Sequence, residues 1–600
     1  MTHLLNVTSW NISDFFNRFV SIFSSEIGDG SSLVFTKLDF WIFFLLVMVV
    51  FSFLHKQKLV RSIFLTVVSC FFFFKTSGLY VLLLLLSISV NYYLGRRIFV
   101  ARSELRSKWI IAFSVIFNLL ILGYFKYAYF FTESFNEMFH TNYELVNQFA
   151  MMGNGFFENN PTIHGWFGGK ISFVEKILLP VGVSFFTFQN ISYVVDIFRK
   201  EIKPVKNFFD YTFFVTFFPQ LVMGPIVRAR DFIPQISKPF HLTKAEFSWS
   251  IIQIVKGLTK KIIIADFLVL YFIDKILFPE SFAFNEPGFI YVIAMWAYSI
   301  HIYADFSGYT DIAIGLSRLM GFELKANFNS PYKALNVADF WRRWHISLGS
   351  WLRDYLYIPL GGNRTGSLGS YLAILIIFTF LIFITQWYAL VYVYGILTLI
   401  YIIGYLTINN FKKYVHRDLN LIITMVVGGL WHGASENFVI WGAMNGCALL
   451  IYKYWKRISF YENSTTWIST FWKIFITFNF ITFTRIWFKL DEVRKGPFNE
   501  AGLADAEADA YPIQLLKRIW YNFDFSVAYF IDFIVVYQAP LIIMIFGFVV
   551  HLLPEKVKKL WENAYSAMPI WLQAICVAII IVLVYQAIGA EQPPFVYLQF

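Results

Sequence analysis

The chain has 600 residues, of which 58% are hydrophobic, 21% aromatic and only 14% charged. Soluble domains carry roughly 25% charge, and a soluble chain of this length divides into domains joined by polar linkers. The composition therefore excludes disorder, a coiled coil, a disulfide scaffold and a soluble multidomain enzyme. The apolar runs are continuous rather than alternating, which also excludes an outer-membrane barrel. What remains is an all-α polytopic membrane protein. Its net charge of +11 reads as Lys and Arg gathered in cytoplasmic loops, with no nucleic-acid surface. Cys70, Cys447 and Cys576 lie far apart in apolar surroundings, and no pair has metal-ligand spacing.

In chain order, residues 1–34 are polar and aromatic, without the basic start and apolar run of a cleavable signal peptide. Apolar runs then predict spans at 35–54, 60–74, 79–94, 110–131, 177–198, 208–227, 250–273 and 289–304. Further runs follow at 371–385, 387–408, 420–432, 436–455, 468–488, 527–552 and 568–588. About eleven to thirteen of these cross the membrane, and the shorter ones are re-entrant or half-helices.

Loop charge sets the orientation. The 55–61 and 95–108 loops are rich in Lys and Arg and belong in the cytoplasm, with a turn near Lys75–Gly78 between them. The N-terminus is then outside. The 132–172 segment, with Glu133, Glu137, Glu144 and Glu158 against Lys170, is an extracytoplasmic insert. The 199–206 loop returns to the cytoplasm, as does 553–562 with Lys556, Lys558 and Lys559. The C-terminus therefore lies outside. Residues 491–510 form an acidic, Ala-rich insert, read as a solvated loop.

One region breaks the apolar rule. From His301 to Arg364 the chain carries many ionisable residues, among them Asp305, Asp311, Arg318, Asp339, Arg342, Arg343, His345, Arg353 and Asp354. Charges at membrane depth are functional candidates. The stretch also holds eight aromatic residues between Phe328 and Tyr357, which suits an interfacial or re-entrant segment rather than a polar loop. Read as one helix, it places Trp341, Trp344, Leu348 and Trp351 on one face, with Arg342 and Arg353 toward another and Asp339 at the N-cap. A second feature is Val426-Val-Gly-Gly-Leu-Trp-His-Gly-Ala-Ser. There His432 ends an apolar run among glycines that allow backbone or a ligand to come close. Two histidines on separate elements can form one site, and an imidazole suits general-base work on a hydroxyl.

These segments resemble the membrane-bound O-acyltransferase (MBOAT) family. The resemblance rests on Asp305-Phe-Ser-Gly-Tyr-Thr-Asp, Phe340-Trp-Arg-Arg-Trp-His-Ile-Ser-Leu, Leu352-Arg-Asp-Tyr-Leu-Tyr-Ile-Pro-Leu-Gly-Gly-Asn and Gly429-Leu-Trp-His-Gly. Leu179-Pro-Val-Gly-Val-Ser, Phe218-Pro-Gln-Leu-Val-Met-Gly-Pro-Ile and the ending Pro594-Phe-Val-Tyr-Leu-Gln-Phe add to it. The branch it is most similar to is the alginate O-acetyltransferase type, which also includes peptidoglycan O-acetyltransferases and is related to the teichoic-acid D-alanylation acyltransferase. The resemblance runs from about Leu178 to the C-terminus, with gaps, and leaves the inserts at 132–172 and 491–510 unexplained; with it the chain is read as 35–131 (N-terminal transmembrane helices), 173–490 (catalytic core), 491–525 (acidic insert loop) and 526–600 (C-terminal helices and outer tail). Lys489 stands where the family usually has Arg.

The resemblance implies a ring of tilted helices around a central tunnel in the bacterial cytoplasmic (inner) membrane. His432 would be the near-invariant catalytic histidine and His345 the second one. No cofactor is bound; acetyl-CoA or an acyl-carrier thioester is the donor. Arg342, Arg343 and Arg353 would meet donor phosphates, with Trp341, Trp344, Asp305 and Ser307 completing the donor-binding set. The acceptor would be an extracytoplasmic glycan, reached through an SGNH-type esterase-like partner. Tyr597 in the outer tail is an acyl-relay candidate, against the simpler role of an interfacial anchor. A D-alanyl or other acyl group is the alternative to acetyl. A transporter, the competing class, should show internal repeats, whereas the Asp305–Gly362 block occurs once.

Overall fold

A computed structural model describes residues 33–161, 177, 179–277, 286–364, 366–495, 505–523 and 525–587. Tyr597 and the outer tail, most of the N-terminal segment and parts of both inserts lie outside the described residues. Every regular element among the described residues is helical, as lipid demands of backbone that must satisfy its own hydrogen bonds.

Four described helical stretches are long and apolar enough to cross a membrane: Lys58–Val100, Glu104–Phe139, Gly288–Leu319 and Ala389–Thr407. The pair Val527–Val536 and Gln538–Leu552, bent by 86°, makes a fifth when counted as one. Leu38–Leu54, Leu368–Phe383 and Ile570–Val584 are apolar but shorter. This criterion passes fewer helices than the sequence count because several apolar runs are interrupted. The 208–227 run breaks at Phe217, with φ −48° and ψ 107°, just before Pro219. The 250–273 run passes from the helix Lys244–Leu258 into π-helical turns at Thr259–Asp266 and Val269–Ile273. Gly78, at φ 58°, breaks the first stretch, where the sequence predicted a turn. The acidic insert, read as a solvated loop, is instead helical in its described parts, up to Lys495 in Trp467–Lys495 and again over Asp505–Tyr521; Gln148–Asn159 in the first insert and Glu555–Ala567 in the last basic segment are helical too.

The chain forms two units. The first takes the chain up to Phe125, then Val146–Ser250 and Ile312–Leu324; the second takes Lys126–Leu145, Ile251–Asp311 and the chain from Lys325 on. The first unit is held by rings and by a buried polar seam. Phe213, Phe217, Phe232 and Phe322 pack with centroids 5.1–5.6 Å apart. Four helices then meet through amides and hydroxyls. Asn118 and Ser114 each donate to Asn91 Oδ1 at 2.8 Å. Asn190 donates to Ser87 at 2.9 Å, and Tyr211 donates to Asn190 at 2.7 Å. Arg61, buried, donates to the carbonyls of Ile236 and Lys238 and so closes the C-terminal end of Ala229–Ile236.

In the second unit the helix that begins at Gly288, up to Asp311, supplies much of the core, with Tyr298, Ile302 and Tyr303 in one cluster with Tyr332, Phe340, Trp344 and Trp441. At Gly308 its backbone lies against the neighbouring turn so closely that a Cβ would stand 2.8 Å from the Gly257 carbonyl oxygen. A buried ion cluster joins the same two segments. Lys261 Nζ lies 2.7 Å from Asp305 and 2.8 Å from Asp266, and His301 Nδ1 is 3.0 Å from the Ala265 carbonyl.

Interhelical hydrogen bonds in membranes average about 0.6 kcal/mol and reach about 1.7. Asn118→Leu should therefore lower stability by roughly 1 kcal/mol, read as a lower thermal midpoint in detergent. Asn91→Leu combined with it should cost less than the sum of the two, because the double change leaves fewer orphaned amide groups. Additive losses would contradict a shared network.

Candidate active site

The segment predicted as one continuous helix is two. Val337–Arg343 and Ile346–Leu352 are separated by Trp344 in extended conformation and by His345 at φ 44°, ψ 54°. A β-branched or bulky residue rarely adopts that left-handed conformation, but histidine tolerates it when its surroundings fix it. Asn327 supplies that fixation. Its carbonyl accepts from the Ile346 amide at 2.9 Å. Its side-chain oxygen accepts from the Ser347 amide at 3.1 Å and from the Ser347 hydroxyl at 2.9 Å. The same oxygen lies 3.2 Å from His345 Nδ1. Because that oxygen is already an acceptor, His345 must carry its proton on Nδ1, which turns Nε2 into the ring's acceptor.

The predicted N-cap also moves. Asn336 caps the first short helix, its side chain accepting from the Asp339 amide at 2.8 Å. Asp339 sits in the first turn, accepts from the Leu335 amide at 3.2 Å and pairs with Arg343 at 3.0 Å and Arg342 at 3.5 Å. An Asp three residues after the cap favours the helix start as well as a cap would. The break at His345 leaves Trp344 and Trp351 buried and Trp341 half-buried.

His432 is the last residue of the helix Phe411–His432. The glycines around it serve packing with the following helix, Glu436–Ile458. A Cβ on Gly429 would stand 2.2 Å from the Phe438 carbonyl oxygen, and one on Gly433 would stand 1.9 Å from the Phe438 ring. Gly442 answers from the other side, its Cβ position 2.5 Å from the Met425 carbonyl. The close approach anticipated from the glycines is thus to backbone and ring.

The C-terminal carbonyls of that helix are taken up by Lys126 and Tyr127. Lys126 Nζ donates to the carbonyls of Trp431 and His432, the latter at 3.0 Å, and Tyr127 donates to Leu430 at 2.6 Å. A cation at a helix C-terminus also complements the helix dipole.

His345 and His432 face each other with ring centres 6.3 Å apart. Both are buried, at 1% and 3% exposure. Trp431, Trp441 and Phe488 stand within 5.2–5.9 Å of the His432 ring, and Phe306 lies 4.8 Å from His345. Beside this box is a narrow space of only about 10 Å³ between Phe340, Trp341, Trp344, Trp441, Phe488 and Arg485. Arg485 is buried; it lies 4.8 Å over Trp344 and donates to the Tyr332 hydroxyl and, at 3.3 Å, to the Ser299 carbonyl. Two polar atoms lining this space, Trp341 Nε1 and Asn445 Oδ1, are buried without a hydrogen-bond partner. Such groups are costly in an apolar wall, and a space of this size takes about one water or a single polar atom.

The other predicted residues go elsewhere. Arg353 pairs with Asp354 at 2.7 Å and is mostly exposed, as is Arg342. Asp305 belongs to the Lys261 cluster, and Ser307 accepts from Lys260 at 3.1 Å. Lys489 stacks on Tyr298 at 5.0 Å and lies 3.3 Å from Asp274. Sequence reading missed Arg485, Lys126 and Asn327. The first two carry a signal, a single cation inside an apolar run; Asn327 carries none.

Comparison with known proteins gives a consistent picture. Residues 171–411 match the profile of the membrane-bound O-acyltransferase family, which includes His345 and stops short of His432. A probable alginate O-acetylase of Pseudomonas aeruginosa is 36% identical over 62% of this chain and 56% of its own. A peptidoglycan O-acetyltransferase of Helicobacter pylori is 30% identical over 72% of each chain. A teichoic acid D-alanyltransferase of Bacillus subtilis is 26% identical over 50% of this chain and 67% of its own. The chain thus matches a little over half the length of its alginate relatives.

The packing around His432 is directly testable. Gly429→Ala should lower the thermal midpoint, because its Cβ meets backbone that cannot yield. Gly395→Ala is the matched control: nothing stands within 4 Å of its Cβ, so helix propensity alone should act, by up to about 1 kcal/mol in the stabilising direction. Equal midpoints for the two variants would show that the Phe411–His432 and Glu436–Ile458 helices are not in this contact.

Proposed function

Since the chain belongs to the membrane-bound O-acyltransferase family, we propose that it moves an acetyl group from a cytoplasmic thioester toward a hydroxyl of a cell-envelope polysaccharide. The observation that carries this reading is the facing pair of buried histidines on separate elements, beside a space with unpartnered polar atoms. His432 takes the proton of the attacking hydroxyl as its oxygen bonds to the thioester carbonyl. The tetrahedral intermediate then expels the thiolate, which recovers the proton from His432 and leaves as a thiol. His345, held in one tautomer by Asn327, orients and polarises the reacting groups. The walls of the box exclude water and so protect the thioester from hydrolysis. On this reading residues 173–490 form the catalytic core. The protein sits in the cytoplasmic membrane with both termini outside, and a separate extracytoplasmic transferase of SGNH type hands the acetyl group to the glycan.

Electrostatics favours acetyl over D-alanyl. No Asp or Glu lines the space among the described residues, while Arg485 does and Lys126 sits at the end of the His432 helix. The ammonium of a D-alanyl thioester about 6 Å from a buried guanidinium meets a repulsion of about 3 kcal/mol at an effective dielectric constant of about 20. An acetyl group carries no such charge.

His432→Ala should leave the thermal midpoint near that of the parent and lower transfer of labelled acetyl by about 10²–10⁴-fold in membrane vesicles. His345→Ala should lose less. Undiminished acetylation in the His432 variant contradicts the assignment, and efficient transfer of labelled D-alanine by the parent contradicts the choice of acyl group.

Tyr597 gives the proposal a second step, in which its hydroxyl accepts the acetyl group as an ester before passing it outward. Tyr597→Phe keeps the ring and removes only the nucleophile. The relay requires that this variant lose acetylation of the acceptor; full activity leaves the tail as an anchor.

A further inference from the structure

In the first unit, a cleft of about 600 Å³ opens between residues 58–62, 202–210 and 229–237. Its floor is apolar, built by Ile202, Pro204, Ile233 and Ile236. Its rim is cationic: Lys58, Lys203, Lys206 and Arg230 line it against one carboxylate, Asp210. Asp210 faces inward to Ser62 and the buried Arg61, and Arg61 is itself committed to the carbonyls of Ile236 and Lys238. Arg230 pairs with Glu201. The rim ammonium groups of Lys58, Lys203 and Lys206 have no carboxylate partner among the described residues.

The height of the cleft is set by the helices that begin there. Lys58 is the first residue of the apolar helix Lys58–Ser77. Asn207 caps Phe208–Thr216, its side chain accepting from the Phe209 amide at 3.0 Å. Where apolar helices start, the membrane gives way to its headgroups. Both cationic segments are the ones that charge bias assigns to the cytoplasm, the side on which basic pockets meet anionic lipid.

We propose that this cleft is a binding site for an anionic phospholipid, with the headgroup phosphate on Lys58, Lys203 and Lys206 and an acyl chain along the apolar floor. An acyl chain needs the floor, a phosphate needs the rim, and the two lie within one cavity. The site shares no residue with the histidine pair and does not depend on its function. A soluble nucleotide phosphate shares the rim chemistry but leaves the floor unused.

The test is native mass spectrometry of the delipidated full-length protein, titrated with phosphatidylglycerol or with phosphatidylcholine of the same chains. Phosphatidylglycerol should be retained in preference. A lysine near an anionic surface is worth a factor of about five, so Lys203→Gln with Lys206→Gln should weaken that retention roughly 30-fold. These exposed changes should leave the thermal midpoint unchanged. Lys413→Gln, at an exposed lysine outside the cleft, should retain the lipid as the parent does. Inorganic phosphate and adenosine 3′,5′-bisphosphate serve as competing probes and should displace little lipid. Equal retention of the two lipids, an undiminished double variant, or displacement by the bisphosphate at concentrations matching the lipid would overturn the proposal.

Discussion

A helix that ends in an apolar interior leaves its last carbonyl groups without partners, and leaving them so is expensive. The site depends on how this chain meets that constraint. Phe411–His432 ends where its last residue is wanted, and Lys126 and Tyr127 supply the missing donors to Leu430, Trp431 and His432. With the carbonyls satisfied, the helix can stop without turning back to water, and the imidazole at its tip is buried among rings. Gly429 and Gly442 add the second condition, letting the next helix lie close enough to wall the histidine in.

The facing histidine is placed by the opposite means. His345 does not ride on a regular element; it is the break between two short helices, in a left-handed conformation that only a specific set of hydrogen bonds makes tolerable. Asn327 provides that set from a single side chain and its carbonyl. One histidine is thus fixed by a helix end and the other by a loop. A box built from both is rigid without needing either residue in the middle of a helix, where backbone would shield it.

The class of fold and the two histidines were legible in the amino-acid sequence, because composition decides the first and motif context the second. Geometry between distant segments was not. The amphipathic pattern around Trp341 and Trp344 reads as one helix, since periodicity carries no trace of a break whose cause, Asn327, lies well upstream. The glycines near His432 signalled close approach but not what approaches. Asp305 and Ser307 entered the donor-binding set through the resemblance alone; their lysine partners, from the turn beginning at Thr259, carry no signal in the local pattern. Conversely Arg485 sat in plain view in an apolar run, and its weight appears only once Trp344 and Tyr332 are seen beneath it.

These features combine into one account: a water-excluding box with two fixed imidazoles, next to a small space that holds unpartnered polar atoms and a buried cation and, among the described residues, no carboxylate. Its central claim is that the thioester reaches His432. The most direct measurement is a cryo-electron microscopy structure of the protein with a non-hydrolysable thioether analogue of acetyl-CoA. The account predicts the acetyl carbonyl carbon about 3–3.5 Å from the position of a hydroxyl held by His432, with Trp441 and Arg485 lining its pocket. An analogue bound elsewhere, with the His432 box still closed around its own side chains, would contradict it.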